Sequence, residues 1–469
     1  MPKGTWSEEK ISSLAGIYNR FLTKAQETIA GGKHGVLAMP IRANWGEIGK
    51  VVEVTSFSDL TDIFGKNITY SAYRLGKLAF LGGPEKLLLY RIADSSAAYG
   101  TVALQNTEQT PADVITLKTK YKSSRDFNVT ISQNIVDENK IDIILYEGTI
   151  EIGRVEEIEN NIDVVVSTFN QNFDEIVASR KLGATGKLAL VTNVKFAGGN
   201  DGCTNITAAE YQEAMNELGK YTIDGFTLDG VADRDIQGSV LEWAKELKDN
   251  GKDVVVFVGG NDSIAEANIA SKKFNDPNIV NIGTGGSHQG LQYTAAEVAV
   301  YIAGLTLGLN IKDSLCYRKT IFDDVSPKLT VTEMKQALKS GTFVLIKEDD
   351  DVIVLDDKNT YTSYTEAQNS VFGEIRGVRF INIVNQDTLV QNKQYIGNIT
   401  DSEDDKITLL CALKKYFETL EKAKVLTDFV VEMDDSIPES LKEDDAIFWR
   451  WDAKYVRVKK RIFGTGYIR

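Results

Sequence analysis

The sequence predicts a multidomain protein of the α/β plus α+β class, and three observations support that prediction. Apolar runs alternate with amphipathic helical segments between residues 186 and 310, which is typical of a doubly wound, largely parallel α/β domain. Strand-like runs separated by polar turns fill residues 102–172, which predicts a small all-β module. The 469 residues suffice for roughly three domains of about 150 residues each.

The composition is that of a folded protein with an acidic balance. Hydrophobic residues make up 42% of the chain and charged residues 26%, and the net charge is −14. A negative charge argues against nucleic-acid binding, because phosphates are neutralised by clustered Lys and Arg. No apolar run is long enough to insert into a membrane, and the N-terminal residues contain no signal-peptide core. The three cysteines form no CxxC pair, so we expect reduced thiols.

The first hundred residues predict an arm followed by the first part of the α/β domain. Residues 1–24 lack a strong period and are predicted to be an extended arm with a short strand. Residues 25–100 then alternate between apolar strand candidates and short helices. The strands are predicted at 35–40, 51–54 and 86–92, and the helices at 58–63 and 70–80.

The middle of the chain predicts an insertion and then the rest of the α/β domain. Residues 101–175 are assigned to the all-β insertion, with strands at 114–121, 128–134, 140–146 and 149–155. Residues 176–315 are assigned to the second part of the α/β domain, with strands at 187–192, 225–228, 254–258 and 279–282. Capping boxes at Thr207 with Glu210 and at Thr294 with Glu297 begin helices between these strands.

Residues 316–469 predict an α+β C-terminal domain. A helix capped by Thr330 is followed by a hairpin at 342–355, and two long helices are predicted at 370–393 and 402–424. Strands at 427–432 and 447–462 complete the chain.

The last predicted strand carries its charges on one face. Arg457, Lys459 and Arg461 alternate with apolar residues, as in a strand with one solvated side. The segment from Ala453 to the end contains six cations and no acid, so the rest of the chain is strongly acidic. Opposite patches attract copies of one chain, and a terminal strand is readily added to another copy's sheet edge. The alternative is a solvated basic tail.

Two glycine-rich loops allow an alternative function. Gly259-Gly260 and Gly283–Gly286 each follow a predicted strand, where backbone amides could cradle a phosphate. This pattern permits a nucleotide- or cofactor-binding enzyme, although neither loop matches a P-loop and tight α/β turns also use glycine.

The residues needed for other chemistry are sparse. With two histidines in the chain, a hydrolase would need Ser287 and His288 with Asp262, but no GxSxG elbow surrounds the serine. The acidic clusters lack the DxDxDG pattern of calcium loops and predict solvated turns. We therefore expect no catalytic, cofactor-binding or metal-binding residues, and a protein that is not an enzyme.

The order of short motifs along the chain resembles that of contractile phage tail sheath proteins, especially from Gram-positive phages, prophages and phage-tail-like bacteriocins. Leu14-Ala15-Gly16-Ile17-Tyr18 is similar to the family's Pro-Gly-Val-Tyr, with Ala15 in place of proline. The other similar segments are 35–40, 44–46, 57–65, 80–92, 294–304, 315–318 and 330–345. The resemblance covers nearly the whole chain.

This resemblance implies a structural subunit with a protease-like α/β domain that lacks a triad. It implies hexameric rings of the chain itself, stacked around a tail tube and ended by baseplate and terminator proteins. The particle would be a virion tail or phage-tail-like particle, assembled in the bacterial cytoplasm, that contracts to drive the tube through a cell envelope.

In the family, terminal arms add strands to neighbouring subunits, and a helix of the C-terminal domain touches the tube. Carried over, the N-terminal arm would pack with the C-terminal domain, and the arm residues would be Ile17, Tyr18, Phe21, Tyr455, Val456, Arg457, Val458, Lys459 and Ile462. The tube-facing helix would present Lys406, Lys414, Lys415 and Glu418.

Overall fold

A computed structural model describes residues 3–4, 17–18, 34–260, 263–400, 402–438, 440 and 445–468. The chain divides into two compact units. Unit 1 consists of Met1–Gly32 and Asp387–Arg457, and unit 2 of Lys33–Gln386 and Val458–Arg469.

The strands and helices are numbered in chain order. The strands are β1 (Lys3–Gly4), β2 (Ile17–Tyr18), β3 (Val36–Ile41), β4 (Val51–Val54), β5 (Lys86–Arg91), β6 (Thr101–Gln105), β7 (Asp113–Thr119), β8 (Phe127–Gln133), β9 (Lys140–Glu147), β10 (Ile150–Glu159), β11 (Ile176–Arg180), β12 (Val191–Lys195), β13 (Gly225–Thr227), β14 (Val255–Gly259), β15 (Ile279–Ile282), β16 (Gly285–His288), β17 (Leu291–Tyr293), β18 (Asp324–Ser326), β19 (Thr342–Phe343), β20 (Leu345–Glu348), β21 (Asp351–Val354), β22 (Leu426–Met433) and β23 (Trp449–Tyr455).

The helices are α1 (Phe57–Phe64), α2 (Ser71–Gly82), α3 (Ile162–Asn172), α4 (Ala208–Leu218), α5 (Arg234–Asp249), α6 (Ile264–Phe274), α7 (Ala295–Gly308), α8 (Val331–Ser340), α9 (Ile375–Asn392) and α10 (Glu403–Lys422), with a 3-10 turn at Ser370–Gly373. The capping boxes predicted at Thr207, Thr294 and Thr330 are confirmed, and Ser263 forms a fourth with Glu266.

A seven-stranded sheet forms the centre of unit 2, in the order β19-β15-β14-β13-β3-β5-β4. Neighbouring strands are parallel except β4, which runs antiparallel to β5. Alternate residues of one strand enter different cores: Leu37 and Met39 pack with α1, α2 and α7, whereas Val36 and Ala38 pack with α4 and α5. The prediction of a mixed α/β domain with a largely parallel sheet is therefore confirmed.

Helix α7 is the buried support of this sheet. Twelve of its residues are buried, and it packs closely on α2. A Cβ built on Gly304 would lie 2.3 Å from the carbonyl oxygen of Ala79, and one built on Gly82 would lie 2.2 Å from the amide of Leu305. Glycine at both positions therefore lets the two helix backbones touch.

The insertion between β5 and α4 contains two sheets, β10-β9-β8-β12 and β11-β7-β6. Its all-β prediction is wrong in one element, because Asn161 caps α3, whose Val165 and Phe169 are buried in the module's core. The run of β-branched residues Val164–Val166 favours strand locally, and tertiary packing overrides that preference.

The insertion also ends later than residue 175. Strand β11 pairs with β7, and β12 pairs with β8, so both belong to the insertion's sheets. The strand predicted at 187–192 is thus shifted to Val191–Lys195 and lies outside the central sheet. Sequence pattern alone does not reveal which sheet a short exposed strand joins, because pairing is set by tertiary contacts.

Arg91 connects the central sheet to the insertion. Its guanidinium donates to the backbone carbonyls of Gly46, Lys122 (3.0 Å) and Asp201 (3.3 Å), and its side chain is fully buried. Burial lowers the pKa of Arg91 to about 10. Because these carbonyls belong to three separate segments, one side chain joins the end of β5 to the loop between β3 and β4 and to the segments that follow β7 and β12.

In unit 1, β22 and β23 form an antiparallel hairpin that packs on α10. Phe417 of α10 stacks on Phe429 at a centroid distance of 5.8 Å and contacts Trp451 at 5.1 Å. The strand predicted at 447–462 ends at Tyr455, which pairs with Leu426, the first residue of β22. Residues 456–468 form no strand in the structure, although the amide of Val456 donates to the carbonyl of Val425 at 3.0 Å.

We predict that Arg91→Met lowers the free energy of unfolding by about 3 kcal/mol, because three buried carbonyls lose a charged donor. Urea titration followed by circular dichroism measures this change. Limited proteolysis should also cut faster near residues 93–100 and 197–205. Arg154→Met on the exposed surface of β10 is the matched control, and an equal loss in both variants would contradict the role given to Arg91.

Candidate assembly surfaces

The C-terminal segment 456–468, called here the C-terminal arm, exposes large apolar side chains. Ile462, Phe463, Tyr467 and Ile468 are between 88% and 103% exposed. Large apolar side chains that are exposed along one short segment mark a surface that another molecule can cover.

Lys460 of the arm binds two carboxylates of unit 2, to which residues 458–469 also belong. Its Nζ lies 2.6 Å from Oδ1 of Asp356 and 3.5 Å from Oε1 of Glu374. Burial acts to lower the pKa of Lys460, but the carboxylates of Asp356, Glu374 and Asp357 together outweigh burial and the pKa is raised. The lysine therefore binds as a cation in an acidic socket.

Asp357 is the third carboxylate near Lys460, and the acidic socket is defined as Asp356, Asp357 and Glu374. Asp357 is 1% exposed, and its Oδ2 accepts hydrogen bonds from Ser314 Oγ at 3.0 Å and from the amide of Arg376 at 3.3 Å. Its Oδ1 has no hydrogen-bond partner. Burial raises the pKa of Asp357 to about 6, although the nearby charge of Lys460 acts in the opposite direction.

The hairpin of unit 1 has two strands only, in the part of the chain that the structure describes. Each strand therefore presents one edge to the other and one edge outward. Arg450 and Glu432, on facing strands, bind each other across the exposed surface at 2.5 Å. An outward strand edge is a site where a further strand can add.

The predicted N-terminal arm is described in part. Ile17 and Tyr18 form β2, which pairs in parallel with Lys3 and Gly4 of β1. Phe21 lies outside the described residues. The short strand predicted in this arm is present at Ile17–Tyr18.

The residues predicted to face the tube are divided between two sides of α10. Lys414 and Glu418 are exposed and lie on the outward face with Ile407 and Cys411. Lys406 is half-buried near Glu403, and Lys415 is half-buried on the opposite flank. The helical spacing thus brings two of the four predicted residues together.

Four glycines of the two loops, Gly259, Gly283, Gly285 and Gly286, are explained by close packing. A Cβ on Gly259 would lie 2.4 Å from the carbonyl oxygen of Ala295, and one on Gly285 would lie 2.5 Å from that of Tyr293. Gly285 and Gly286 belong to β16, which is paired on both sides by β17 and β18. The helices that follow each loop are capped by their own Ser263 and Thr294.

The geometry gives little support to the hydrolase hypothesis at Ser287 and His288. Ser287 and His288 are successive residues of β16, so their side chains leave opposite faces of the strand. Asp262 lies outside the described residues. Within the described ranges, no group of three potential metal ligands is found, and no helix is long and apolar enough to span a bilayer.

Two family models match this chain. The model of the phage tail sheath protein central domain matches residues 204–360, and that of the phage tail sheath C-terminal domain matches residues 367–469. Together they cover more than half of the sequence. The chain belongs to the phage tail sheath protein family. It is a structural subunit of a contractile tail sheath.

Relatives and solved structures agree with this assignment. The sheath subunit is 25% identical over 467 residues to the phage-like element PBSX protein XkdK of Bacillus subtilis, covering 95% of this chain and 94% of the relative. Its fold matches a sheath tail protein from Desulfitobacterium hafniense with a TM-score of 0.74 at 21% identity, covering 94% and 100% of the two chains. The contracted helical sheath of the anti-feeding prophage matches with a TM-score of 0.56 at 12% identity, covering 97% and 99%.

The sequence did not identify the acidic socket. Asp356 and Asp357 are one of several acidic pairs in the sequence, and Glu374 directly precedes α9. Neither position shows a local pattern that links it to Lys460. The signal that was available is the position of Lys460 on the apolar face of the alternating pattern, opposite Arg457, Lys459 and Arg461. A cation among apolar positions indicates a buried partner.

We predict that Asp357→Asn stabilises the sheath subunit at pH 8 and has little effect at pH 4. The folded pKa of about 6 lies above the unfolded value, so the charged carboxylate destabilises the fold at high pH. That penalty falls as pH drops through 6 and disappears below about 4, where both states are protonated. We expect a gain of about 2 kcal/mol at pH 8 in urea titrations.

The matched control is Asp350→Asn, in the exposed turn between β20 and β21. It should change stability equally at both pH values. A gain from Asp357→Asn that is as large at pH 4 as at pH 8 would contradict the assigned cause.

Proposed function

We propose that this sheath subunit polymerises when its C-terminal arm adds a strand to the β22–β23 hairpin of a neighbouring copy. The observation that carries the proposal is the exposed apolar arm in a chain whose own hairpin has outward edges. β-Strand addition satisfies the backbone groups of both partners and buries alternate side chains. The N-terminal arm around Ile17 and Tyr18 would supply a further strand.

The rings formed in this way would be hexameric and would stack around a tail tube, between a baseplate and a terminator protein. Contraction would then drive the tube through a cell envelope, in a phage tail or phage-tail-like particle assembled in the bacterial cytoplasm. Solved proteins of similar fold include a contracted helical sheath and a baseplate complex of the anti-feeding prophage, which supports this proposal. The α/β domain would act as a doubly wound, protease-like scaffold without a triad.

We predict that deletion of residues 461–469, which keeps Lys460, leaves a folded subunit that does not extend. Full-length protein should form stacked rings or tubes in negative-stain electron microscopy, whereas the truncated protein should sediment as a monomer. Mixed at about one tenth of the full-length protein, the truncated chain should shorten the tubes, because it accepts a strand but donates none.

Lys459→Ser is the control, because it changes an exposed polar residue of the same arm and keeps every apolar side chain. It should form tubes of normal length. Tubes of normal length from the truncated protein alone would refute strand donation by the arm.

We predict that Lys414→Glu combined with Glu418→Lys weakens binding to the tail tube without changing sheath self-assembly. Exchanging charges at exposed positions of an interface alters complementarity by about 1 kcal/mol, which is a fivefold change in affinity. Co-sedimentation with purified tubes measures the effect. Lys248→Glu on α5 serves as the control, and unchanged binding by the double variant would remove α10 from the tube interface.

A further inference from the structure

We propose that Lys460 is the fixed root of the donated arm, bound in its own subunit to the socket of Asp356, Asp357 and Glu374 while Arg461–Ile468 crosses to the neighbour. This inference rests on the proposed strand donation. It assigns Lys460 a positioning role in assembly, distinct from that of the residues that pair with the neighbouring copy.

The exposure along the arm separates Lys460 from the residues around it. From Arg457 to Ile468, every described residue except Lys460 is exposed, and the Lys460 side chain retains 20% of its exposure. Lys459 and Arg461 have the same charge but are exposed. The contact is therefore specific to one residue of a basic segment and is not a general attraction between the arm and an acidic body.

The charge of the socket explains why a lysine remains there. Asp356 and Glu374 are 26% and 18% exposed, and Asp357 is buried with an unpaired Oδ1. Withdrawing Lys460 would leave three neighbouring carboxylates, one of them buried, without the cation that binds them. Separating a half-buried pair costs more than separating one on the surface, so the socket resists release.

Binding of Lys460 in the acidic socket also shortens the mobile part of the arm. Without the socket, the flexible tether would begin after Tyr455, at the end of β23, whereas with the socket it begins at Arg461. The effective concentration of a tethered group falls as about the −3/2 power of tether length, so the shorter tether gains roughly twofold. The root also fixes where the donated strand leaves the subunit.

The test is a charge exchange in the full-length chain. Lys460→Glu should raise the concentration needed for assembly at least about twofold, following the loss of the fixed root. Combining it with Asp356→Lys in the same chain keeps the net charge of the socket and should restore assembly. Lys460→Met is a milder variant in case charge reversal prevents folding, and Lys248→Glu on the exposed surface of α5 is the control, expected to assemble normally.

An equimolar mixture of Lys460→Glu chains and Asp356→Lys chains distinguishes the two possible arrangements. With the root bound in the same subunit, no chain of the mixture has a matched pair, and assembly stays impaired. Rescue by the mixture would show that the lysine enters a neighbour's socket and would overturn the proposal. Normal assembly of Lys460→Met and Lys460→Glu alone would overturn it as well.

Comparing the deletion of residues 461–469 with Lys460→Met separates this proposal from strand donation. Loss of tubes on deletion of residues 461–469, together with normal tubes for Lys460→Met, would refute the fixed root and leave strand donation intact. Circular dichroism melting curves, recorded for every variant, identify those that are folded at the assembly temperature. Assembly is compared among the folded variants only.

Discussion

The proposed assembly depends on one constraint of β-structure, namely that a two-stranded hairpin leaves half of its backbone groups without strand partners. In unit 1, β23 ends at Tyr455 because β22 begins opposite it, at Leu426. The chain that follows has large exposed apolar side chains suitable for a strand. In the proposed assembly, a second copy would provide the strand edge for them, so that the hairpin of one copy and the arm of another would complete each other.

Strand addition transmits force only if the bodies it connects are stiff. Unit 2 has this property, because α7 is buried against the sheet and meets α2 backbone to backbone at Gly82 and Gly304. Arg91 extends the same rigidity to the insertion through carbonyls of three segments. Residues 456–468, by contrast, form no helix or strand in the single chain.

Local patterns predicted what depends on local chemistry. Capping boxes, helix periods and the buried strands of the central sheet were all visible in the sequence, because each is set by residues a few positions apart. Helix α3 was missed because Val164–Val166 favours strand and only packing against the insertion's core decides otherwise. The acidic socket was missed for a related reason. Asp357 and Lys460 are distant in sequence, and no local sequence pattern indicates that they interact.

The sheet topology contains another place where α/β proteins bind ligands, apart from the two glycine-rich loops, and here side chains of the protein itself fill it. Strand order reverses between β3 and β13, and the crevice beyond their carboxyl ends is where open α/β sheets bind ligands. Here Arg42 follows β3, Asp229 follows β13, and their side chains bind each other at 2.6 Å. Ser71 and Tyr211 also donate to Asp229, at 2.9 and 2.7 Å, so both carboxylate oxygens are occupied by the protein. Hydrogen bonds within the protein therefore close the crevice at the topological switch point. They also connect the two halves of the sheet, which suits a subunit that transmits force.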